Sequence, residues 1–412
     1  MTDRFESELN PENIKKAELV VCIPSYNEAD SIGYPTTQAD EGLKKYFGDK
    51  SSVIINCDNN SPDDTKQAFL DTPTSAPKIY ISTPPGVKGK GNNFKNLFQK
   101  VVDLEAEAVV VVDADLKSIT PEWIKHLGRP LFEDFSYVAP LYIRHKYDGT
   151  ITNGIAYPMT RALYGRRVRQ PIGGDFGFRG QLAKVYLESG VWDDAVANFG
   201  IDIWMTTQAI NQKAQICQSF MGRPKIHRTK DPGSHLGPMF RQVVGTIFSM
   251  MGRFDSFWTR VKYSRPTAIY GFGLGDVEMP PRVDVSMENL LNQFHNGFEE
   301  QKNIWEQVLV EDVYKKVLEI REMNESVFNF PTDLWARVLF DMAVAYKNKT
   351  VDCDLMMDSL IPLYFGRTLS FVKKTRTMSM KQAEEAIEED CTTFEMTKPY
   401  LLKRWIESSP NS

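Results

Sequence analysis

The sequence predicts an α/β fold: a mostly parallel, Rossmann-like sheet joined to a helical C-terminal domain. Three observations predict it. Short β-branched runs alternate with segments of helical spacing through the first half of the chain. Each run ends in a loop rich in polar residues. From Met287 onward the pattern changes to amphipathic helices.

The first run is "AELVVCIPS" (17–25), followed by "SSVIINCDN" (51–59), "KIYISTP" (78–84) and "AVVVVDAD" (108–115). Between them lie "EGLKKYF", "DDTKQAFL" and "NNFKNLFQKVVDL", whose apolar residues recur at helical spacing. Strand and helix in alternation imply a parallel sheet covered on both faces. Such sheets bind ligands beyond the carboxyl ends of their strands. The polar loops fall there: "SYNEAD", "DNNSPDD", "GVKGKG" and "DAD". The middle of the chain adds the strand-like "YVAPLYI" and "AQICQSFMG", the glycine-rich "PIGGDFGFRG" and the segment "FGIDIWMTTQAI". Four amphipathic stretches then follow, "MENLLNQFHNGFEEQKNIWEQVL", "VYKKVLEIREM", "PTDLWARVLFDMAVAYKN" and "KQAEEAIEEDCTTF". The expected division is a polar leader (1–16), an α/β domain (17–263), a Pro- and Gly-bearing linker (264–284) and a helical domain (285–412) that serves packing or a homodimer.

Composition narrows the classes. The 412 residues are 42% hydrophobic, enough for a large core, and the net charge of −5 offers no global field for nucleic acid. Five scattered cysteines without a CxxC pair argue against a disulfide framework or zinc cluster and fit a reducing cytosol. The polar start does not read as a signal peptide, and no run reaches the roughly 18 apolar residues of a membrane span. A cytoplasmic protein is expected.

Chemistry is concentrated in a few stretches. In "VVVVDADLKS" a strand places Asp113 and Asp115 on one face. Two neighbouring carboxylates repel unless a cation joins them, and oxygen ligands suit Mg²⁺ or Mn²⁺. A solvated turn is the plainer reading of the pair. "DNNSPDDT" has the look of a calcium loop but carries Asp63 and Phe69 where such a loop needs Gly and Glu. It reads as a capped helix start, or as a loop facing a nucleobase. "GVKGKGNN" lacks the spacing of a phosphate-binding P-loop, yet its glycines let backbone approach a ligand and Lys88 and Lys90 add charge. "RPKIHRTK" surrounds His227 with Arg223, Lys225, Arg228 and Lys230, which suit phosphates, and His235 is a weaker candidate. "PIGGDFGFRG" packs four glycines around Asp175, which would face a sugar hydroxyl or cap the next helix.

Taken in order, "IPSYNEADSI", "CDNNSPDDT", "KGKGNNFKNL" and "VVDADL" resemble the nucleotide-sugar-dependent glycosyltransferases of the GT-A fold. "QPIGGDFGFRG", "FGIDI" and "KIHR" followed by "MFRQVVGTI" are similar to the retaining synthases of glucosylglycerate, glucosyl-3-phosphoglycerate and mannosylglycerate. The resemblance implies roles. Pro24, Tyr26, Glu28, Asp58 and Asn60 would line the nucleoside pocket. Lys90 would reach the diphosphate, and Asp113, Ala114 and Asp115 would hold ribose, sugar and metal. His227 would join Asp115, and in part Asp113, around Mg²⁺ or Mn²⁺. Gly173, Gly174 and Asp175 would shape the acceptor pocket with Asn153 and Arg161. Asp175, Asp202 and Lys90 would be catalytic at the transferred hexose, expected to be glucose and passed to glycerate or 3-phosphoglycerate.

One departure stands out. Members that use 3-phosphoglycerate carry a "GGRVT"-like segment, and "TNGIAYPMT" here has no Arg in register; Arg161, Arg166, Arg167 and Arg169 lie downstream. This favours a free carboxylate acceptor over a phosphorylated one. An inverting transferase acting on a polysaccharide or lipid-linked acceptor is a second reading, but its QxxRW motif is missing. A non-catalytic nucleotide-sugar binding protein is a third.

Overall fold

The structure, a computed structural model, describes residues 5–190, 192–227, 232–271 and 278–408. The apolar runs form strands β2 (Leu19–Ser25), β3 (Ser52–Asp58), β4 (Lys78–Ser82) and β5 (Ala108–Val111), as the sequence predicts. With β1 (Ser7–Leu9), β6 (Tyr137–Ile143), β7 (Phe176–Arg179), β8 (Ile216–Pro224) and β9 (Ala268–Tyr270) they make one sheet in the order β1-β4-β3-β2-β5-β7-β6-β8-β9. The β2–β5 block is parallel, and so are β6, β8 and β9; β1 and β7 run antiparallel to their neighbours. Every residue of β2 and β5 is buried, which is why these strands read as unbroken apolar runs rather than alternating ones.

The chain divides into two units. The first comprises residues 1–143, 168–231 and 267–280; the second comprises 144–167, 232–266 and 281–412. The first holds the sheet with helices α1 (Gly33–Tyr46), α2 (Thr65–Asp71), α3 (Lys90–Asp103), α4 (Pro121–Gly128), α6 (Gly180–Glu188) and α7 (Ile201–Asn211). The second is helical: α5 (Tyr157–Tyr164), α8 (Pro232–Arg253), α9 (Asp255–Trp258), α10 (Met287–Val308), α11 (Glu311–Arg321), α12 (Thr332–Asn348), α13 (Cys353–Thr375) and α14 (Met380–Glu407). Within it, α10 lies close along α13: a methyl on Gly297 would come 2.1 Å from the Pro362 ring.

Two boundaries differ from the sequence expectation. Residues 7–9 are not a free leader but an edge strand on β4, with Ser7 Oγ 3.0 Å from Ser82 Oγ. Residues 144–167 and 232–263, expected in the α/β domain, belong to the helical unit. The cause is visible at Arg161 of α5, whose guanidinium pairs with Glu388 and Glu395 of α14. All five cysteines are free, and no described helix is long and apolar enough to cross a membrane.

Candidate functional site

Strands β2, β3, β4 and β5 deliver their loops to one rim of the sheet. After β2 the chain turns through Asn27, and after β3 through Asn60, both in the left-handed region (φ +58° and +51°), which Asn tolerates better than most residues. Tyr26 is half-buried, with Lys88 Nζ 4.8 Å from its ring centroid. Glu28 is buried and accepts from Ser31 Oγ at 2.7 Å. Asn59 ties the loops together: its Oδ1 accepts from Gly89 N (3.1 Å) and its Nδ2 donates to Asn93 Oδ1 (2.8 Å). The "GVKGKGNN" glycines have a packing reason of their own. A Cβ on Gly91 would fall 1.8 Å from Val196 O, and one on Gly89 2.3 Å from Ala197 O.

Beyond β5 lies a compact cluster of charge, all within the first unit. Lys90, at the start of α3, places Nζ 2.9 Å from Asp113 Oδ1 and 3.3 Å from Asp202 Oδ1 in the first turn of α7. Lys225, at the end of β8, places Nζ 2.7 Å from Asp113 Oδ2, 2.9 Å from Asp175 Oδ2 and 2.9 Å from Gly173 O. Asp175 is fully buried; its Oδ1 accepts from Asp113 N at 3.0 Å, and the Tyr142 hydroxyl donates to Oδ2 beside Lys225. Gly174 (φ +83°) is required here, because a Cβ would stand 2.7 Å from Asp113 Oδ2 and 2.9 Å from Lys225 Nζ.

The charges settle each other. Burial disfavours both ammoniums, but the facing carboxylates, Asp113 foremost, outweigh it and hold Lys90 and Lys225 above their ordinary range. Burial pushes the Asp113 carboxyl up, and Lys225 with Lys90 pulls it further down, to a value well below the usual carboxylate range. For Asp175 and Asp202 burial prevails over the lysines, and both are raised.

Asp115 stands two residues past Asp113, only 9% exposed. The next residue, Leu116, pairs its backbone with His227 in an antiparallel bridge, and Lys117 N donates to Ile226 O at 2.8 Å. The ribbon therefore brings the chain at Asp115 alongside exposed His227. Among the described residues no group of three His, Cys, Asp or Glu side chains gathers as a metal cage.

Several expected site residues are buried, or already engaged by neighbours. Both oxygens of Asp113, expected in part around the metal, are held by Lys90 and Lys225. Asp58, expected in the nucleoside pocket, is fully buried and braces its loop by taking hydrogen bonds from Ser25, Ser61 and Tyr80. The Ala114 side chain packs in the apolar core, and Pro24 is buried inside β2. Asp175 is enclosed behind Asp113 and positions it without reaching the surface. The helix start expected in "DNNSPDDT", with Ser61 as its cap, falls later, at Thr65, where Asp63 accepts from Thr65 N at 3.1 Å. Arg161 and Asn153 belong to the helical unit. Arg161 is consumed by its ion pairs, and Asn153 lines a cavity of about 20 Å³ beside Thr150, Tyr364, Arg367 and Asp390, room for about one water. Arg228, Lys230 and the His235 side chain lie outside the described residues.

Sequence reasoning overlooked Tyr142 and underrated Lys225. Tyr142 sits in "YVAPLYI" as one more strand residue and carries no signal. Lys225 stands two residues before His227, so on a strand the two share a face, and that spacing was legible.

The chain matches no family model and no curated protein sequence. Among solved structures, glucosyl-3-phosphoglycerate synthase from Mycobacterium tuberculosis in complex with Mn²⁺, UDP and glucosyl-3-phosphoglycerate is 24% identical over 57% of this chain and 80% of its own, with a TM-score of 0.46. The same enzyme with Mn²⁺, UDP-glucose and glycerol 3-phosphate gives the same figures. With Mg²⁺ and UDP it is 23% identical, at a TM-score of 0.45. At such distances the chemistry of this chain has to be read from its own residues.

Proposed function

We propose that the chain is a metal-dependent glycosyltransferase that moves a hexose, glucose by preference, from a nucleoside diphosphate sugar to a small carboxylate acceptor, glycerate or 3-phosphoglycerate, with retention. One observation carries the reading. Asp115 emerges from the buried end of β5 beside the His227 strand, while Lys90 and Lys225 are locked to Asp113 two residues earlier.

Asp115 and His227 are the residues that would hold Mg²⁺ or Mn²⁺. A carboxylate oxygen and an imidazole nitrogen fit such an ion, and a set of two protein ligands leaves coordination positions for phosphate oxygens and water. When bound, the ion would neutralise charge on the leaving nucleoside diphosphate, the main electrostatic need of glycosyl transfer. The chain's own groups do the rest. Tyr26, Glu28 and Asn60 line the rim where the base and ribose would lie. Asp113, fixed by two ammoniums, offers a rigid acceptor for sugar hydroxyls. Asp202 presents its carboxylate at the start of α7. Because Asp113, Asp175 and Asp202 are all engaged with lysines, none is placed as a free nucleophile or base. The acceptor's proton then passes to a phosphate oxygen of the donor, as retention without an enzyme nucleophile requires.

The test is a matrix of UDP-, GDP- and ADP-hexoses against glycerate and 3-phosphoglycerate with Mn²⁺, scoring nucleoside diphosphate release and product anomeric configuration by NMR. An α-linked product from an α-linked donor is expected; a β-linked product, or no release with any pair, rejects the proposal. Asp115→Ala should lower metal affinity by more than the roughly 10–100-fold that outer-shell partners cost, at an unchanged melting temperature. Unchanged Mn²⁺ titration would remove Asp115 from the metal site.

A further inference from the structure

We infer that the basic ribbon of residues 165–167 and 260–265, in the helical unit, docks on anionic lipid headgroups. Arg166 and Arg265 face each other in a parallel backbone bridge, closed by Arg265 N to Gly165 O (3.0 Å) and Arg167 N to Arg265 O (3.2 Å). Arg260, Lys262 and Arg265 are exposed; Arg166 and Arg167 are half-exposed. Among the described residues none of the five has a carboxylate partner. Other arginines of the same unit do: Arg161 with Glu388, Arg241 with Asp358, Arg367 with Asp390 and Arg404 with Asp341. Like charges placed directly opposite across a pair of strands destabilise it, and nothing in the ribbon offsets that cost. A chain with a net charge of −5 has thus gathered unpaired cations in one place.

The ribbon is built to hold its shape. Gly165 (φ +66°) is needed there, since a Cβ would come 2.8 Å from Val261 Cγ1 and 3.0 Å from Tyr263 O. Buried Ser264 accepts from Arg167 Nε at 3.0 Å and from Arg161 Nε at 3.2 Å. Behind it, buried Lys398 of α14 donates to Trp258 O and Val261 O, each at 2.7 Å. A fixed backbone loses little entropy when its side chains are engaged.

Tyr263 selects the kind of polyanion. It is 66% exposed between Lys262 and Ser264. A tyrosine among cations suits the headgroup layer, where its ring finds apolar surface and its hydroxyl finds water. A single-stranded nucleic acid is held by successive stacking aromatics along a groove, and the ribbon offers one. Attraction from so small a patch fades within a Debye length, about 8 Å in physiological salt, so the partner has to carry dense charge close to it. Anionic headgroups do.

The experiment is co-sedimentation of the full chain with phosphatidylcholine vesicles, with and without phosphatidylglycerol. The protein should pellet with the anionic vesicles at low salt, and much less in high salt or with neutral vesicles. Each cation lost should weaken partitioning by roughly fivefold, so Lys262→Gln/Arg265→Gln should weaken it about 25-fold. Arg166→Gln should weaken it roughly fivefold without lowering the melting temperature, because it removes one of two opposed charges. The inference is overturned if anionic vesicles do not pellet the protein, if the double variant pellets as well as the wild type, or if single-stranded polyuridylate binds it more tightly than the vesicles do.

Discussion

The ammonium of Lys225 has three hydrogens and three acceptors: Asp113, Asp175 and the carbonyl of Gly173. Nothing of it is left over for a phosphate, so its effect on any ligand passes through Asp113. Remove it and Asp175 remains fully buried with Tyr142 and the Asp113 amide but no counter-charge. Lys225→Met should therefore cost about 3–5 kcal/mol, the usual penalty for breaking a buried pair from one side. Asp175→Asn in the same chain should return a good part of that, since an amide keeps an oxygen for the Asp113 N–H without the charge. A double-mutant cycle by urea unfolding checks this: a coupling above about 1 kcal/mol is expected, and additive losses would show that the two groups act independently. The aspartate pair and Lys90 were legible in the sequence because they sit at strand and helix ends. The enclosure of Asp175 and the partners of Arg161 were not, because burial by residues far along the chain leaves no local pattern. Arg161 looked like an anion ligand only while Glu388 and Glu395 were out of sight.

Elements show the same division. Strands β2 to β5 were legible because burial on both faces demands β-branched runs. Strands β1 and β9 are three residues each and largely exposed, so no apolar run marks them. The amphipathic spacing marks helix α14 only as far as Phe394, yet it runs on through Pro399 to Glu407. Proline there forgoes one backbone hydrogen bond and is tolerated where tertiary packing holds the helix. Between α1 and α4 the contact is polar and titratable. Glu122, in the first turn of α4, accepts from Tyr46 at 2.6 Å and from Lys45 at 3.0 Å. The Tyr46 hydrogen bond first, and then that of Lys45, against the opposing effect of burial, bring its carboxyl down to about 2. A depressed folded value means stability that is complete above the ordinary carboxylate range and lost as pH falls toward 2. Glu122 is 44% exposed, so solvent screening cuts the effect. Glu122→Gln should thus lower the melting temperature slightly at pH 6, and the gap should close between about pH 4.5 and pH 2. A gap that stays constant with pH would assign it to packing instead of charge.

At the scale of the whole molecule, the chain leaves and re-enters each unit: it crosses after 143, 167, 231, 266 and 280. A sequence-drawn boundary at 263 or 284 misses this, because 144–167 and 232–266 look like a continuation of the strand-and-helix pattern while their partners lie more than a hundred residues on. Within the helical unit, Tyr157 of α5 donates to Glu388, Arg161 pairs with Glu388 and Glu395, and Trp258 packs edge-on against Trp405 at 5.1 Å. A chain ending at residue 284 would keep α5, α8 and α9 but lose α10 to α14, baring Trp258, which packs on Trp405 of α14, and Phe240 and Phe248 of α8, which pack on Tyr364 of α13 and Tyr346 of α12, all three buried in the intact unit. It would also strand Arg161, which is 4% exposed, without either carboxylate. Exposed apolar faces of that kind aggregate, and an unpaired buried guanidinium adds several kcal/mol. The truncated chain should therefore be insoluble or lack a cooperative melt, whereas the full chain should melt cooperatively. A soluble, cooperatively melting 1–284 fragment would mean that α5, α8 and α9 find their cover without α10 to α14, and that the boundary suggested by composition is the working one after all.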